Sequence, residues 1–244
     1  MSDAPKKAAG KPAAKKPATR KAKGKVDETS TETRDDAALT AAVLEAALPH
    51  AAFDGFTGKV LEEAGRAAGL SKPETARLFP EGPLSLVEAW SVAVDREMTE
   101  RLQAMDLPAM KVRQRIAEAV KTRLAILKRH KEAARRAAAL LSLPVHAGLA
   151  AKLMYRTVDA MWRAAGDTAT DFNFYTKRGI LAGVYGSTLV RWFSDASADE
   201  AATNEFLAAR IENVMQFEKF KAKAREALSN FPAFSDWPGS KRTR

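Results

Sequence analysis

The chain carries a helical pattern along almost its whole length. After residue 36, apolar residues recur in steps of three and four, and strand-type alternation is nowhere sustained. Leu149, Leu153, Met154, Thr157, Val158, Met161, Trp162 and Ala165 fall on one helical face, and Leu181, Val184, Tyr185, Thr188, Leu189 and Trp192 on another. The periodicity predicts helices over residues 37–48, 57–68, 73–78, 83–103, 109–129, 131–143, 147–165, 174–193 and 200–228, the last with one break. Stops fall at Pro49-His50, Asp54-Gly55, Gly69, Pro80-Glu81-Gly82-Pro83, Pro108, Pro144 and Gly166. Residues 36–82 form a head of short helices, 83–215 a bundle of long ones, and 216–244 an amphipathic helix and tail.

The joint between the two most apolar helices has an unusual composition. It carries Asp167, Asp171, Phe172, Asn173, Phe174 and Tyr175 where small polar residues are the norm. Aromatics beside fixed charges suit a protein-docking patch. The alternative is that Asp171 or Asn173 caps the following helix and the aromatics tuck inward.

Composition narrows the possibilities. The 244 residues contain no cysteine, which removes disulfides and thiolate chemistry and fits a reducing compartment. The net charge is +10, but residues 1–25 hold nine Lys or Arg against one Asp, leaving the other 219 residues at only +2. The Ala-, Lys- and Pro-rich start has almost no large apolar side chain, so residues 1–35 read as a disordered basic tail, either a solubilising arm or a ligand for nucleic acid or anionic lipid. It lacks the apolar run of a secretory signal and the amphipathic pattern of a transit peptide. The nearest transmembrane candidate, Ile180 to Val190, is short and interrupted by glycines.

Catalytic chemistry finds no foothold. His50, His130 and His146 have no metal-site spacing with one another or with carboxylates, and Glu62-Glu63 point in different directions on a helix. No phosphate-binding glycine loop is present. Asp95, Arg96 and Glu97 read as a solvated face, and Asp159 and Asp167 as structural partners of Arg156 or Arg163. No cofactor, no metal and no catalytic residue is assigned.

Residues 57–79 resemble the DNA-binding domain of the tetracycline-repressor type. Gly69, Leu70 and Ser71 precede a short helix, and Phe79 closes it ten residues after the glycine. Two departures stand out: Ala76 replaces the usual tyrosine and Pro73 the glycine of that pattern. Lys72, Glu74, Thr75 and Arg77 form the expected recognition surface, which is poorly basic, so DNA is not the favoured partner. The expectation is an all-α, repressor-like helical bundle with a degenerate N-terminal helix-turn-helix head.

A wider resemblance covers about residues 37–225. Ala47-Leu48-Pro49-His50, Phe53 to Thr57, Phe79 to Pro83, Tyr155 to Asp159, Ala165 to Asp167, Thr176 to Arg178 and Leu181 to Tyr185 together resemble the family of the ninth coenzyme Q (ubiquinone) biosynthesis protein. The resemblance implies a non-catalytic, lipid-binding accessory factor. It would bind an isoprenoid quinone intermediate or a phospholipid in the bundle and present the intermediate to the ubiquinone-pathway di-iron hydroxylase. Asp171, Phe174 and Tyr175 match that family's partner-binding patch, with Phe174 where tryptophan is frequent.

The residues themselves offer three supports. Met154, Val158, Met161, Leu181, Val184, Tyr185 and Leu189 are candidate lipid-lining positions. Gly179, Gly183 and Gly186 lie within one helix, either for close helix packing or to leave space for a chain. Phe217, Phe220, Leu228 and Phe231 with Lys221 form a basic, aromatic-edged helix suited to an anionic membrane surface, or to docking on the bundle or a second subunit as a homodimer. The expected location is cytoplasmic, peripheral on the inner face of the cytoplasmic membrane. The runner-up function is a ligand-responsive transcription regulator using the head and basic tail.

Overall fold

The protein is described from a computed structural model that covers residues 24–167 and 172–229; the side chains of residues 24–34, 172–174 and 217–229 are not described. Among the described residues there are nine α-helices and no strand: α1 (Gly24–Asp54), α2 (Gly58–Ala67), α3 (Lys72–Leu78), α4 (Pro83–Gln103), α5 (Val112–Leu127), α6 (Lys131–Leu141), α7 (Ala147–Ala164), α8 (Phe172–Phe193) and α9 (Ala201–Ser229). Short 3-10 turns precede α5, α6, α7 and α9.

The boundaries have local causes. Thr57 caps α2 by accepting from Val60 N, and Gly69 ends the connection at φ +79. Ser71 and Glu74 form a capping box on α3, with Pro73 in its first turn. α6 ends at Leu141 rather than 143, because Pro144 holds Leu143 in the extended region. α5 starts at Val112 rather than 109, after a 3-10 turn at Leu107–Ala109 and an extended Lys111 whose N–H is taken by Gln114 Oε1. Gly166 closes α7 at φ +85.

Three expectations are corrected. α1 begins at Gly24, so residues 24–35, read as tail, have helical backbone; residues 1–23 lie outside the described residues. α1 also runs through Pro49 to Asp54, placing His50 on a helix. Ala47 and Leu48 just before the proline and Ala51 just after it are buried, and that packing outweighs the lost hydrogen bond. Finally, α9 is continuous where a break was expected.

The described residues from Thr40 onward pack as one compact unit. α4 lies against α5 and α7, α8 against α7 and α9, and α5 reaches α7 and α9. Leu86, Met98, Leu102, Val120, Met161 and Trp192 are essentially inaccessible at the centre. The head joins this core: Phe56 stacks on Trp90 of α4 at 5.8 Å, and Val60, Leu61 and Phe79 are buried. No single described helix is long and apolar enough to cross a membrane.

Candidate functional site

A cavity of about 280 Å³ opens between α4, α5, α6, α7 and α8. Its walls are Val87, Trp90 and Val94 of α4, Leu127 of α5, Ala134, Ala137, Ala138 and Leu141 of α6, Ala150, Leu153 and Met154 of α7, and Leu189 and Phe193 of α8. The alanines of α6 create the space, since α6 presents short side chains where a leucine stripe would close it. The volume lies just below the ~300 Å³ at which the usual range of ligand pockets begins.

One wall is polar. Arg123 on α5 is buried and makes an ion pair from Nε to Asp95 Oδ1 at 2.8 Å. Its Nη1 donates to the Tyr185 hydroxyl at 2.5 Å and its Nη2 to Ser91 Oγ at 3.2 Å. Thr157 donates to Asp95 at 3.0–3.1 Å. Burial works against the Arg123 charge, but Tyr185 and Asp95 outweigh it and hold its pKa above the ordinary value. Burial likewise pushes the Tyr185 phenol up, with Arg123 opposing and Asp95 adding, so it stays a neutral donor. This cluster corrects the reading of Asp95 as a solvated position: its side chain is 13% exposed. The signal was legible. Asp95 lies four residues after Ser91 and three before Met98 on the inward face, and Arg123 sits in register between Val120 and Leu127.

The lipid-lining candidates do not share one cavity. Met154, Tyr185 and Leu189 line the first. Leu181 and Val184 line a second, of about 430 Å³, with Ile116 of α5, Trp162 of α7, Ile180 of α8 and Ile211, Val214 and Met215 of α9. Val158 and Met161 line neither and fill the core, at 1% and 0% exposure. Neither reading of the glycines holds for Gly179 and Gly183, which are exposed with nothing within 4 Å of an added Cβ; Gly186 meets only the Met154 methyl at 3.7 Å.

The α7–α8 joint is held by charge. Arg178, with a side chain only 3% exposed, pairs with Asp159 at 2.6 Å and Asp167 at 3.3 Å. Lys177 pairs with Asp167 at 2.8 Å and lies 5.5 Å from the Trp162 ring centroid, while Trp162 Nε1 donates to the Lys177 carbonyl at 3.2 Å. Arg115 of α5 reaches the Ala165 carbonyl at 3.0 Å. The expected partners of the two aspartates are thus half corrected: Arg163 does pair with Asp159, whereas Arg156 pairs with Glu88. Tyr175 is exposed on the first turn of α8. Asp171 lies outside the described residues, as does the Phe174 side chain, although Phe174 has helical backbone. Of the membrane candidates, Phe217, Phe220, Lys221 and Leu228 lie on the α9 backbone with undescribed side chains, and Phe231 is outside the described residues.

The helix-turn-helix surface has part of its charge engaged within the head. Lys72 pairs with Glu62 at 2.9 Å, and Glu74 is engaged by Ser71. Thr75 is not on that surface: it is buried against Gly65, where an added Cβ would lie 2.3 Å from Thr75 Oγ1. Among the described residues no group of three or more His, Cys, Asp or Glu is placed to hold a metal ion.

Comparison with known proteins places this geometry. A family model described as COQ9 matches residues 147–218, from α7 into α9. The mitochondrial ubiquinone biosynthesis protein COQ9 of Rattus norvegicus is 32% identical over 179 residues, covering 71% of this chain and 57% of the rat protein. That of Homo sapiens is 32% identical over 71% of this chain and 56% of its own length. That of Drosophila melanogaster is 30% identical over 83% and 65%. The chain thus spans under two thirds of the length of these relatives. A TetR transcriptional regulator from Nitrosomonas europaea ATCC 19718 superposes with a TM-score of 0.57 at 20% identity, covering 71% of this chain and 95% of the regulator, which shows the repressor-like fold. The expected location on the inner face of a cytoplasmic membrane is corrected, because the relatives are named as mitochondrial. Absence of cysteine excludes disulfides but does not select a membrane.

Proposed function

The chain belongs to the COQ9 family, and on that premise we propose that it is a non-catalytic lipid-binding factor of ubiquinone biosynthesis. It takes a prenylated quinone intermediate, or a phospholipid chain, into the helical bundle and offers the intermediate to the di-iron hydroxylase of that pathway. The observation that carries this reading is the cavity among α4–α8, walled by alanine, leucine and aromatic side chains and bearing one compact polar cluster. A site for amphiphiles needs that combination; a metal or acid–base centre needs convergent titratable groups at an accessible surface.

Two surfaces support the transfer step. Tyr175 is exposed at the start of α8, beside the Arg178, Lys177 and Trp162 contacts that tie this helix to α7, a placement suited to a docking patch. The segment from Phe217 onward carries aromatic and basic residues suited to an anionic bilayer. The test is native mass spectrometry of the purified chain with extraction and identification of co-purifying lipid. Parent protein should carry near-stoichiometric quinone or phospholipid. Ala138→Trp, which fills the cavity from α6, should carry none while keeping its helical content. Equal lipid in both proteins would sink the assignment to this cavity.

A further inference from the structure

The polar wall of the cavity has a sign. Tyr185 and Ser91 each accept a hydrogen bond from Arg123. Each hydroxyl therefore has its own proton left, and neither donates to an acceptor among the described residues. The Thr157 proton is used on Asp95, and Asp95 is turned to Arg123 and Thr157. The hydroxyls that line this end of the cavity with protons to spare are thus both donors. Their oxygens are polarised by the guanidinium behind them, which strengthens what they can give.

The charge is closed as well. Arg123 is matched by Asp95 within the wall, so the cluster brings no net positive charge to the cavity. An anionic headgroup placed here would gain Arg123 but face Asp95 in a low-dielectric site. A neutral acceptor oxygen meets two donors and no opposing charge.

Resting on the lipid-binding reading above, we infer that Tyr185 and Ser91 bind a neutral carbonyl oxygen of the ligand's ring, making this wall the element that selects a quinone headgroup over a phosphate headgroup or a bare hydrocarbon. The chain of the ligand then lies along Leu153, Met154 and Leu189, away from the cluster. A site built around donors rejects a ligand that leaves them unpaired far more strongly than an apolar wall rejects one of the wrong size.

Isothermal titration calorimetry of the full chain with three probes tests this: 2-decyl-1,4-benzoquinone, decylbenzene and decyl phosphate. The quinone should bind about ten-fold more tightly than decylbenzene, and decyl phosphate most weakly. Tyr185→Phe with Ser91→Ala should erase the quinone advantage and leave decylbenzene unchanged. Ser91→Ala alone, the milder change, should cost the quinone about three-fold and supports the same conclusion if the double variant fails to fold. Equal affinity of the parent for quinone and decylbenzene, tightest binding of the phosphate, or quinone binding indifferent to Ser91→Ala would overturn the inference while leaving the cavity a lipid site. Binding of none of the three probes would overturn the lipid reading and the inference together.

Discussion

Arg178→Met tests the joint directly. It removes the guanidinium that ties the end of α7 to the start of α8, whose Nη2 and Nε lie 2.6 and 2.7 Å from Asp159 Oδ1 and whose Nη1 lies 3.3 Å from Asp167 Oδ2. Breaking a buried pair by removing one partner costs about 3–5 kcal/mol, because the remaining charge is stranded. Here neither carboxylate is stranded completely: Asp159 keeps Arg163 at 2.7 Å and Asp167 keeps Lys177 at 2.8 Å. Methionine also preserves most of the stem packing, so little cavity is created. The cost therefore falls at the low end, about 3 kcal/mol. For a domain of this size each kcal/mol moves the melting temperature by about 2–4 °C, so a drop of about 6–12 °C is expected. Far-ultraviolet circular dichroism on heating measures it. Arg178→Lys, which reaches one carboxylate at a time, should fall between parent and methionine variant. A methionine variant melting within about 2 °C of the parent would refute the reasoning and leave the joint held by the Trp162–Lys177 contact instead.

Three further outcomes follow from the same geometry. Gly65→Ala should gain up to about 1 kcal/mol of helix preference but lose about 1–3 kcal/mol to overpacking against Thr75; a net stabilisation in urea would show that α2 and α3 are not in close contact. Asp195 accepts from the N–H and hydroxyl groups of Ser197, ahead of α9, and of Thr203, in its first turn, which holds its carboxyl well below the usual 3.8. Its stabilising effect is thus present above that pH and declines as the pH falls below it, so Asp195→Asn should lower the urea midpoint at neutral pH and less so in acid; an equal deficit at both would contradict the assignment. On the proposed docking role, Tyr175→Ala, at a residue 68% exposed, should leave lipid content unchanged but weaken capture of the proposed di-iron hydroxylase partner several-fold; undiminished capture would remove Tyr175 from the docking patch.

How much was legible differs between fold and site. Helix positions were readable because burial on one face imposes a repeat of three and four, and Gly69, Gly166 and Pro144 punctuate it by their own backbone limits. Pro49 misled, since its penalty is local while the burial of Ala47, Leu48 and Ala51 that offsets it is not. The helix-turn-helix outline was legible from Gly69, Ser71 and Phe79, but the burial of Thr75 depends on how closely α2 approaches α3. Arg123 and Asp95 sit in apolar registers of two different helices, a hint in each that only their meeting converts into a pair.

The sequence by itself determined the all-helical class, the repressor-like fold and the family, because these rest on periodicity and on short motifs read along the chain. It also marked the α7–α8 joint as unusual. Tertiary structure alone decided which candidates share a cavity. It divided Met154, Tyr185 and Leu189 from Leu181 and Val184, and sent Val158 and Met161 to the core. It also exchanged Arg156 for Arg178 at the joint and aligned the Tyr185 and Ser91 hydroxyls on one guanidinium. The physical reason is that a helical repeat fixes which face a residue occupies, whereas a cavity or a buried ion pair is set by the angle and separation at which several such faces meet.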